Sequence, residues 1–374
     1  MMTKIKSLSA CAVRVPLDRP TSFATRDVLA RDYALVEVGA DDGERGIGFC
    51  YAGSTGGALV ATAVRELLAP LVVGRDPHLT EGLWSAMYQE TLLHGRVGAV
   101  MRAISAVDIA LWDRNARAAG LPLHRFLGAA REGTVPAYAS GGYYLDGKTP
   151  KKLGEELAGY VDGGFGAVKI KVGRLSLAEE EARIAAARQA IGDDVVLMLD
   201  ANNAWADLPT ALRFVSMYAA YDPYWIEEPF SPDDIDNHVR LAEATEIAVA
   251  TGEIEAGRWR FKELLEREAA AILQPDAAVC GGVTEFRRIA ATAASFSVPV
   301  CPHWFHDLHA PLLATIPNGQ FVEYFPDDQV LNFRRLVDGQ IEVKDGALVL
   351  RQSPGLGFAF DADAVKRYAI DAWA

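Results

Sequence analysis

Cysteine is scarce in this sequence and is not arranged as a metal site or a disulfide framework. Four cysteines occur in 374 residues, with no C-x-x-C spacing: Cys11, Cys50, Cys280 and Cys301. Scattered cysteines of this kind are typical of reduced thiols, so a cytoplasmic location is expected. We therefore expect neither a disulfide-stabilised secreted domain nor a catalytic cysteine.

Positive charge and long apolar runs are also in short supply. The chain has 37 lysines and arginines against 50 aspartates and glutamates, a formal net charge of −13. This balance disfavours nucleic acid and anionic membranes as partners, although a metal ion and nearby lysines can still attract an anionic substrate. Arg14 and Pro16 interrupt the first apolar run, so the sequence predicts neither a signal peptide nor a membrane-spanning helix.

What the chain has instead is a repeated apolar stretch that ends in a polar side chain. Val195–Leu199 runs into Asp200, and similar stretches end at Lys171, Glu227, Glu253, Asp276, His303 and Glu323. Successive members of this series are 20 to 29 residues apart, which fits one strand and one helix per step. Because only a barrel brings all of these strand ends to one mouth, the pattern predicts a TIM-like (β/α)7β barrel.

The first 130 residues follow a different pattern, with strands before helices. Lys4–Val15, Tyr33–Val38 and Ile47–Tyr51 predict strands, and helical periodicity is clearest over Met101–Trp112. We predict an N-terminal α+β domain (1–130), a barrel (131–330) and a C-terminal segment (331–374) that returns to the first domain. Two polar segments, Asp18–Asp27 and Ala52–Gly57, predict loops that could act as lids.

Three acids at successive predicted strand ends indicate a metal site. Asp200, Glu227 and Glu253 offer only oxygen ligands, which suits Mg²⁺ with Mn²⁺ as a substitute. Any one acid alone could be a helix cap or a surface ion pair, but three in register argue against that interpretation. Spacing does not decide between Glu227 and Glu228, and Glu255 is a further candidate on the face of Glu253.

Lysine and histidine side chains supply candidate bases. Lys169 and Lys171 share one face of a predicted strand, where each would lower the pKa of the other and favour a neutral amine. His303 ends the strand that follows Asp276, whose carboxylate could fix the imidazole tautomer. His306 and His309 lie close by in the sequence, and we prefer His303 because it directly ends its strand.

As a set, these residues resemble the enolase superfamily, and within it the mandelate racemase subgroup. The matching segments are Lys169–Lys171, Asp200–Asn202, Trp225–Pro229, Gly252–Glu253, Asp276, His303, Glu323, Ala103–Trp112 and Pro354–Gly357. They cover nearly the whole chain. The resemblance implies a capping domain over the barrel, one Mg²⁺ ion, a small carboxylate substrate and a homo-oligomer, either a dimer or an octamer.

The resemblance also implies a role for each site residue. Asp200, Glu227 and Glu253 would bind the metal. Lys171 would be one base, with Lys169 near the substrate carboxylate, and His303 with Asp276 would serve the opposite face. Glu323 would donate a proton to the enolate oxygen, and Ser140 and Asn202 would line the site. Members with this set are frequently acid-sugar dehydratases. We therefore predict removal of the proton α to a carboxylate, through an enediolate, and dehydration to a 2-keto-3-deoxy acid.

Alternatives remain open at this point. A racemase or epimerase of a 2-hydroxy acid would use the same residues. The predicted lid is polar and includes Arg26 as a candidate substrate-binding residue, which favours a polyhydroxy acid as the substrate. A Schiff-base aldolase would use a lysine as nucleophile without needing three metal-binding acids. A non-catalytic sugar-acid binder would be expected to have lost base or ligand residues, and none is missing here.

Overall fold

The computed structural model describes residues 3–374, and its first sheet has three antiparallel strands in the order β1-β2-β3. These strands are β1 (Ile5–Phe23), β2 (Arg26–Ala40) and β3 (Arg45–Tyr51). β1 and β2 form a long hairpin whose register shifts between Pro16 and Thr21, where proline cannot donate to the ladder. The hairpin tip reaches the barrel, because Ser22 forms a bridge with Tyr144.

The prediction of an irregular loop over Asp18–Asp27 is therefore wrong. Most of that segment continues the two strands of the hairpin, and only residues 24 and 25 form its turn. Threonine and serine are compatible with strand backbone when a partner strand completes the hydrogen bonds, which composition alone does not reveal. Ala52–Gly56 is irregular, as expected, and a helix begins at Gly57.

Helices cover the first sheet. They are α1 (Gly57–Ala63), α2 (Ala69–Val72), α3 (Thr80–Glu90), α4 (Ala99–Ala118) and α5 (Leu123–Phe126), with a π-helical turn at Val64–Leu68 and a 3-10 turn at Thr91–Leu93. α4 confirms the predicted helical periodicity, and most of its side chains are buried. It packs closely on β3, because a Cβ on Gly48 would overlap the carbonyl group of Ala106.

This close approach gives a stability prediction. Gly48→Ala should lower the free energy of unfolding by about 1–3 kcal/mol, because the new methyl group forces β3 away from α4. The matched control is Gly82→Ala within α3, where a Cβ meets no atom within 4 Å and should stabilise the helix by up to about 1 kcal/mol. Thermal unfolding midpoints measure both changes, and equal midpoints for the two variants would contradict the predicted packing.

The second sheet forms the barrel. Its parallel strands are β4 (Thr134–Gly141), β5 (Ala167–Lys171), β6 (Val196–Asp200), β7 (Pro223–Glu227), β8 (Ala248–Thr251), β9 (Ile272–Leu273) and β10 (Val322–Tyr324). β4 to β9 are neighbours in sequence order, and β10 pairs with β4. Single bridges from Val300 to Leu273 and to Gly319 complete the ring. The strand predicted at Val298–His303 is thus reduced to one residue, Val300, with a bridge on each side, because prolines on both sides of Val300–Cys301 remove backbone donors.

Helices alternate with these strands as predicted. They are α6 (Pro150–Asp162), α7 (Leu177–Ile191), α8 (Leu208–Tyr218), α9 (Ile235–Ala244), α10 (Arg258–Glu266), α11 (Ala277–Cys280), α12 (Gly282–Ser295) and α13 (His306–Leu313), with a 3-10 turn at Ala219–Tyr221. The predicted capping box of Ser176 and Glu179 opens α7, and Asp207 caps α8. Inside the barrel, Tyr138, Met198, Trp225 and Ile272 fill the space below the strand ends.

The last part of the chain contacts both sheets. It contains a 3-10 turn at Asn332–Leu336, β11 (Val343–Lys344), β12 (Ala347–Val349) and α14 (Ala362–Tyr368). β12 pairs with β4, and Ala369 bridges Val13 of β1. The domain limits at 130 and 330 remain predictions. Within residues 3–374, no helix combines the length and the apolar character that crossing a membrane requires.

Candidate active site

The carboxyl ends of neighbouring barrel strands bring the predicted acids together. The register pairs Lys171 with Asp200 and Asp200 with Glu227, so these residues lie at one level of the barrel. Glu253 follows β8 after one intervening glycine. One ligand oxygen from each of Asp200, Glu227 and Glu253, called here the acid cluster, lies within 4.8 Å of the others.

The acid cluster fits a hard divalent cation. Asp200 and Glu227 are fully buried, and Glu253 is partly buried. Buried acceptor atoms at Glu253 Oε2 and Asn202 Oδ1 have no hydrogen-bond partner among the described residues. Unpartnered buried oxygens are costly, and a cation such as Mg²⁺ would satisfy them while leaving room for substrate oxygens.

The other two candidate acids lie apart from this cluster. Glu228 adopts a positive φ of 42°, and its carboxylate accepts a hydrogen bond from the Asn203 side chain at 2.7 Å. Glu255 pairs with Arg260 at 3.2 Å. Glu227, rather than Glu228, is therefore the glutamate of this pair that joins the acid cluster.

Both candidate lysines pair with carboxylates of the site. Lys169 Nζ donates to Glu227 Oε1 at 2.7 Å and lies 2.8 Å from Glu323 Oε1. Lys171 Nζ donates to Asp200. Burial lowers the pKa of Lys169, but Glu227 and then Glu323 raise it, and the net pKa is well above the ordinary value. For Lys171, burial lowers the pKa and Asp200 raises it, again with a net rise.

In addition to burial, Lys169 does lower the pKa of Lys171, as predicted, but Asp200 raises it more, so the expected net shift toward a neutral amine is not found. Lys169 pairs with Glu227 at 2.7 Å and Lys171 pairs with Asp200, and attraction at this short range outweighs the repulsion between the two cations. The sequence placed the two lysines on one face, but it did not reveal which anions they would meet.

His303 is the histidine that reaches the acid cluster. Its Nδ1 lies 3.2 Å from Asp276 Oδ2, and its Nε2 lies 3.4 Å from Glu253 Oε2. Asp276 is held in place because it also caps α11 through the Ala278 amide at 2.8 Å. Burial lowers the pKa of His303, but Glu253 and the hydrogen bond to Asp276 raise it to about 9.

The two other histidines lie on α13 and do not reach the acid cluster. His309 Nε2 accepts a hydrogen bond from the Ala277 amide at 3.0 Å and lies 3.5 Å from Asp276 Oδ1. His306 Nε2 lies 3.2 Å from Asp307, and both imidazoles are fully buried. Within residues 3–374, His303 alone of the three is within salt-bridge distance of the acid cluster.

The proton-donor role of Glu323 stays a prediction. Burial raises the pKa of this carboxyl group, but Lys169 and then His303 lower it to about 2. Its Oε2 accepts a hydrogen bond from the Trp304 amide at 2.9 Å. The sequence could not reveal this pairing, because Lys169 and Glu323 lie on strands far apart in the chain.

Ser140 and Asn202, which the resemblance implies as site-lining residues, each have an unpartnered polar atom. Ser140 is in register with Lys169, and its Oγ is buried with no hydrogen-bond partner in residues 3–374. Asn202 has a positive φ of 44°, stabilised by its amide donating to Asp200 Oδ1 at 2.9 Å. The Oδ1 atom of Asn202 is buried without a partner beside Asp200, and the site-lining role of both residues stays a prediction.

Arg26 is not part of this buried group. It is exposed at the hairpin tip, and its guanidinium lies 5.1 Å from the centre of the Phe23 ring. The same ring lies 5.9 Å from Lys171 Nζ, and the Tyr143 ring lies 5.0 Å from it. Sequence reasoning missed Phe23 and Tyr143, because neither ends a barrel strand. The available signal for Phe23 was an aromatic residue within a polar segment.

Both parts of the chain match domains of one family. Residues 6–128 match the mandelate racemase / muconate lactonizing enzyme N-terminal domain, and residues 152–364 match the enolase C-terminal domain-like family. The chain belongs to the mandelate racemase / muconate lactonizing enzyme family of the enolase superfamily. The resemblance found in the sequence is thus confirmed.

This family member has close relatives of known activity. It is 35% identical over 333 residues to L-talarate/galactarate dehydratase from Salmonella typhimurium, covering 88% of this chain and 81% of that enzyme. It is 32% identical over 360 residues to 3,6-anhydro-alpha-L-galactonate cycloisomerase from Streptomyces coelicolor, covering 96% of this chain and 97% of that enzyme.

A solved structure supports the fold of this family member. L-talarate dehydratase from Polaromonas sp. JS666, complexed with Mg and L-glucarate, superposes with a TM-score of 0.91 at 32% identity. The match covers 100% of this chain and 99% of that one. The predicted combination of an N-terminal α+β domain with a TIM-type barrel is therefore confirmed.

Proposed function

We propose that this chain is a Mg²⁺-dependent dehydratase of sugar acids. The observation that carries the proposal is the acid cluster flanked by Lys171 on β5 and by the His303–Asp276 pair on the far side of the barrel. Related enzymes support it, since one relative is an L-talarate/galactarate dehydratase and a similar structure holds Mg and L-glucarate.

The proton next to a carboxylate is weakly acidic, because its removal creates a second negative charge on the substrate. A bound Mg²⁺ ion would supply positive charge where this enediolate forms. Lys169 is fully buried between Glu227 and Glu323. Its own ammonium group would be the second positive charge beside the substrate carboxylate. The dense network of carboxylates around Lys169 fixes its ammonium group before the substrate binds.

Two bases on opposite sides give each face of a planar enediolate its own proton-transfer group. One of Lys171 and His303 would remove the proton from C2, and the other would donate a proton to the hydroxyl group leaving C3. The C2–H and C3–O bonds break, water departs, and the resulting enol becomes a 2-keto-3-deoxy acid. Asp276 would keep the imidazole of His303 in one orientation through its 3.2 Å contact.

A racemase or epimerase of a 2-hydroxy acid is the second candidate. The same pair of bases favours it, because a proton removed from one face of C2 can return to the other face. In that reaction the C3 hydroxyl group stays in place and no keto acid forms. The two functions therefore share the first step and differ in the product.

The test of the proposed function is a screen of sugar monoacids and diacids for 2-keto products in the presence of Mg²⁺. We expect at least one polyhydroxy acid to give a 2-keto-3-deoxy acid, while simple 2-hydroxy acids that lack a β-hydroxyl group give none. Product formation is read by the reaction of the new carbonyl with semicarbazide. A 2-epimer without keto product would favour the racemase instead.

Finer expectations belong to the same proposal. We propose a cytoplasmic enzyme that accepts Mn²⁺ in place of Mg²⁺ and assembles as a dimer or an octamer. Exposed apolar side chains support self-association, since Leu93 is 97% exposed and Val97 is 63% exposed on the segment between α3 and α4. Trp259, which is 47% exposed, stacks on Tyr88 at the end of α3.

A further inference from the structure

Arg31 of β2 is a buried cation without an anionic partner. Its side chain is 2% exposed, yet no carboxylate of residues 3–374 lies within 4.0 Å of its guanidinium nitrogens. Its neighbour Asp32 pairs with Arg14 at 2.7 Å instead. The only side-chain hydrogen bond that the described residues offer Arg31 is to the Tyr51 hydroxyl at 3.0 Å, and its Nε is buried without a partner.

Three other cations near the hairpin each have a carboxylate partner. Arg19 pairs with Asp327 at 2.8 Å, and Arg174 pairs with Asp27 at 2.9 Å. Lys148 pairs with Glu156. Arg31 differs from these three because it is buried without a carboxylate.

Arg31 also lies close to the catalytic groups. Its guanidinium carbon is 4.5 Å from the centre of the Trp304 ring, and that ring lies 5.6 Å from the His303 ring. On the other side, burial raises the pKa of the Tyr143 hydroxyl to about 12, and Lys171, then Arg31, then Lys169 counteract this rise. Arg31, on β2 of the first sheet, therefore lies between the surroundings of His303 on one side and those of Lys171 on the other.

Leaving a guanidinium buried without an anion is costly, and stacking on two aromatic rings offsets only part of that cost. A ligand that brings a carboxylate to Arg31 would remove the imbalance with a charge-assisted hydrogen bond. Lys169 and the acid cluster already account for binding of the reacting carboxylate of the substrate. The anionic partner for Arg31 would therefore be a second carboxylate, at the other end of the substrate.

We infer that Arg31 binds the distal carboxylate of the substrate, so that this enzyme acts on sugar diacids in preference to monoacids. The inference rests on the proposed function and deepens it by naming the substrate class. Arg31 would determine specificity, with the acid cluster and the two bases performing the same chemistry on either class.

The test compares diacids with the monoacids that carry a terminal alcohol in place of the distal carboxylate. The parent enzyme should have a higher kcat/KM for a diacid than for its matched monoacid. Arg31→Met should lower kcat/KM for diacids by about 10- to 100-fold, mainly through KM, because one charge-assisted hydrogen bond is lost. The monoacid values should change by less than about threefold. Arg31→Lys keeps the charge but not the planar donor pair, so its kcat/KM for diacids should lie between the values of the parent and of Arg31→Met.

The matched control is Arg19→Met, which removes an arginine of the same hairpin that is already paired with Asp327. It should leave the preference for diacids unchanged. An equal loss for diacids and monoacids in Arg31→Met, or no preference in the parent enzyme, would overturn the inference while leaving the dehydratase intact.

A binding measurement separates this inference from the proposed function. With Mg²⁺ present, a sugar diacid at one fixed concentration should raise the thermal unfolding midpoint of the parent protein and of Arg19→Met, and should raise that of Arg31→Met clearly less. This result would support the inference even if no acid were dehydrated, in which case the proposed function alone fails. Equal diacid-induced shifts in parent and Arg31→Met would overturn the inference.

Discussion

Glu253→Gln is expected to abolish dehydration while the protein remains folded. The change keeps the shape of the side chain but removes one of three negative charges from the acid cluster. If the metal supplies several kcal/mol of transition-state stabilisation, activity should fall by about 10³-fold or more at moderate Mg²⁺. Calorimetric titration with Mg²⁺ or Mn²⁺ should show weakened binding in the variant, and exhaustive EDTA treatment of the parent should give the same loss of activity.

Glu255→Gln is the matched control for this change. Glu255 is also a buried glutamate, two residues farther along, but it pairs with Arg260 outside the acid cluster. Its replacement should leave metal affinity and kcat within about threefold of the parent, because a removed non-ligand charge acts only at longer range. Activity that survives EDTA, or equal losses in the two variants, would contradict the assignment of the metal site.

Lys171→Ala and His303→Asn should each lose dehydration by about 10²- to 10⁴-fold, but in different ways. The variant that lacks the proton-abstracting base should fail to exchange the α-hydrogen of the substrate with D₂O. The variant that lacks the other group should still exchange this hydrogen without forming keto acid. The difference follows from the location of Lys171 on β5 and His303 beyond β9, with the acid cluster on the strands between them.

NMR of the recovered substrate measures the exchange, and Asp276→Asn provides a check on the His303 side. Because Asp276 touches His303 but not the reacting atoms, its loss should weaken the same step as His303→Asn by a smaller factor. Retention of dehydration within a few-fold of the parent in both base variants would rule out the assigned bases.

The barrel and the acid cluster could be predicted because each is a local pattern repeated at a regular spacing. A short apolar stretch that ends in Asp200 or Glu227 is enough to predict a buried strand with an acid at its end. Parallel strands then bring these ends to one level. The choice of Glu227 over Glu228 came only from the family resemblance, and the structure supplies the reason, because Glu228 is turned toward Asn203.

Features that depend on contacts between distant segments could not be predicted. Burial lowers the pKa of Lys169, but Glu227 and then Glu323, which lies on the last barrel strand, raise it, so the net shift is opposite to the expected one. Composition predicts a loop at the hairpin tip, because the segment that completes its backbone hydrogen bonds is also polar. Arg31 was missed because an arginine next to an aspartate in a strand is usually exposed, whereas here the capping sheet buries it.

We propose that this enzyme removes the α-proton of a sugar acid and expels its β-hydroxyl group. The most direct test is NMR of the parent enzyme turning over a sugar acid in D₂O with Mg²⁺. We expect a 2-keto-3-deoxy acid that carries one solvent deuterium at C3, because the enol formed by loss of water takes its new hydrogen from solvent. Recovery of the 2-epimer with deuterium at C2 and no keto acid would contradict the claim.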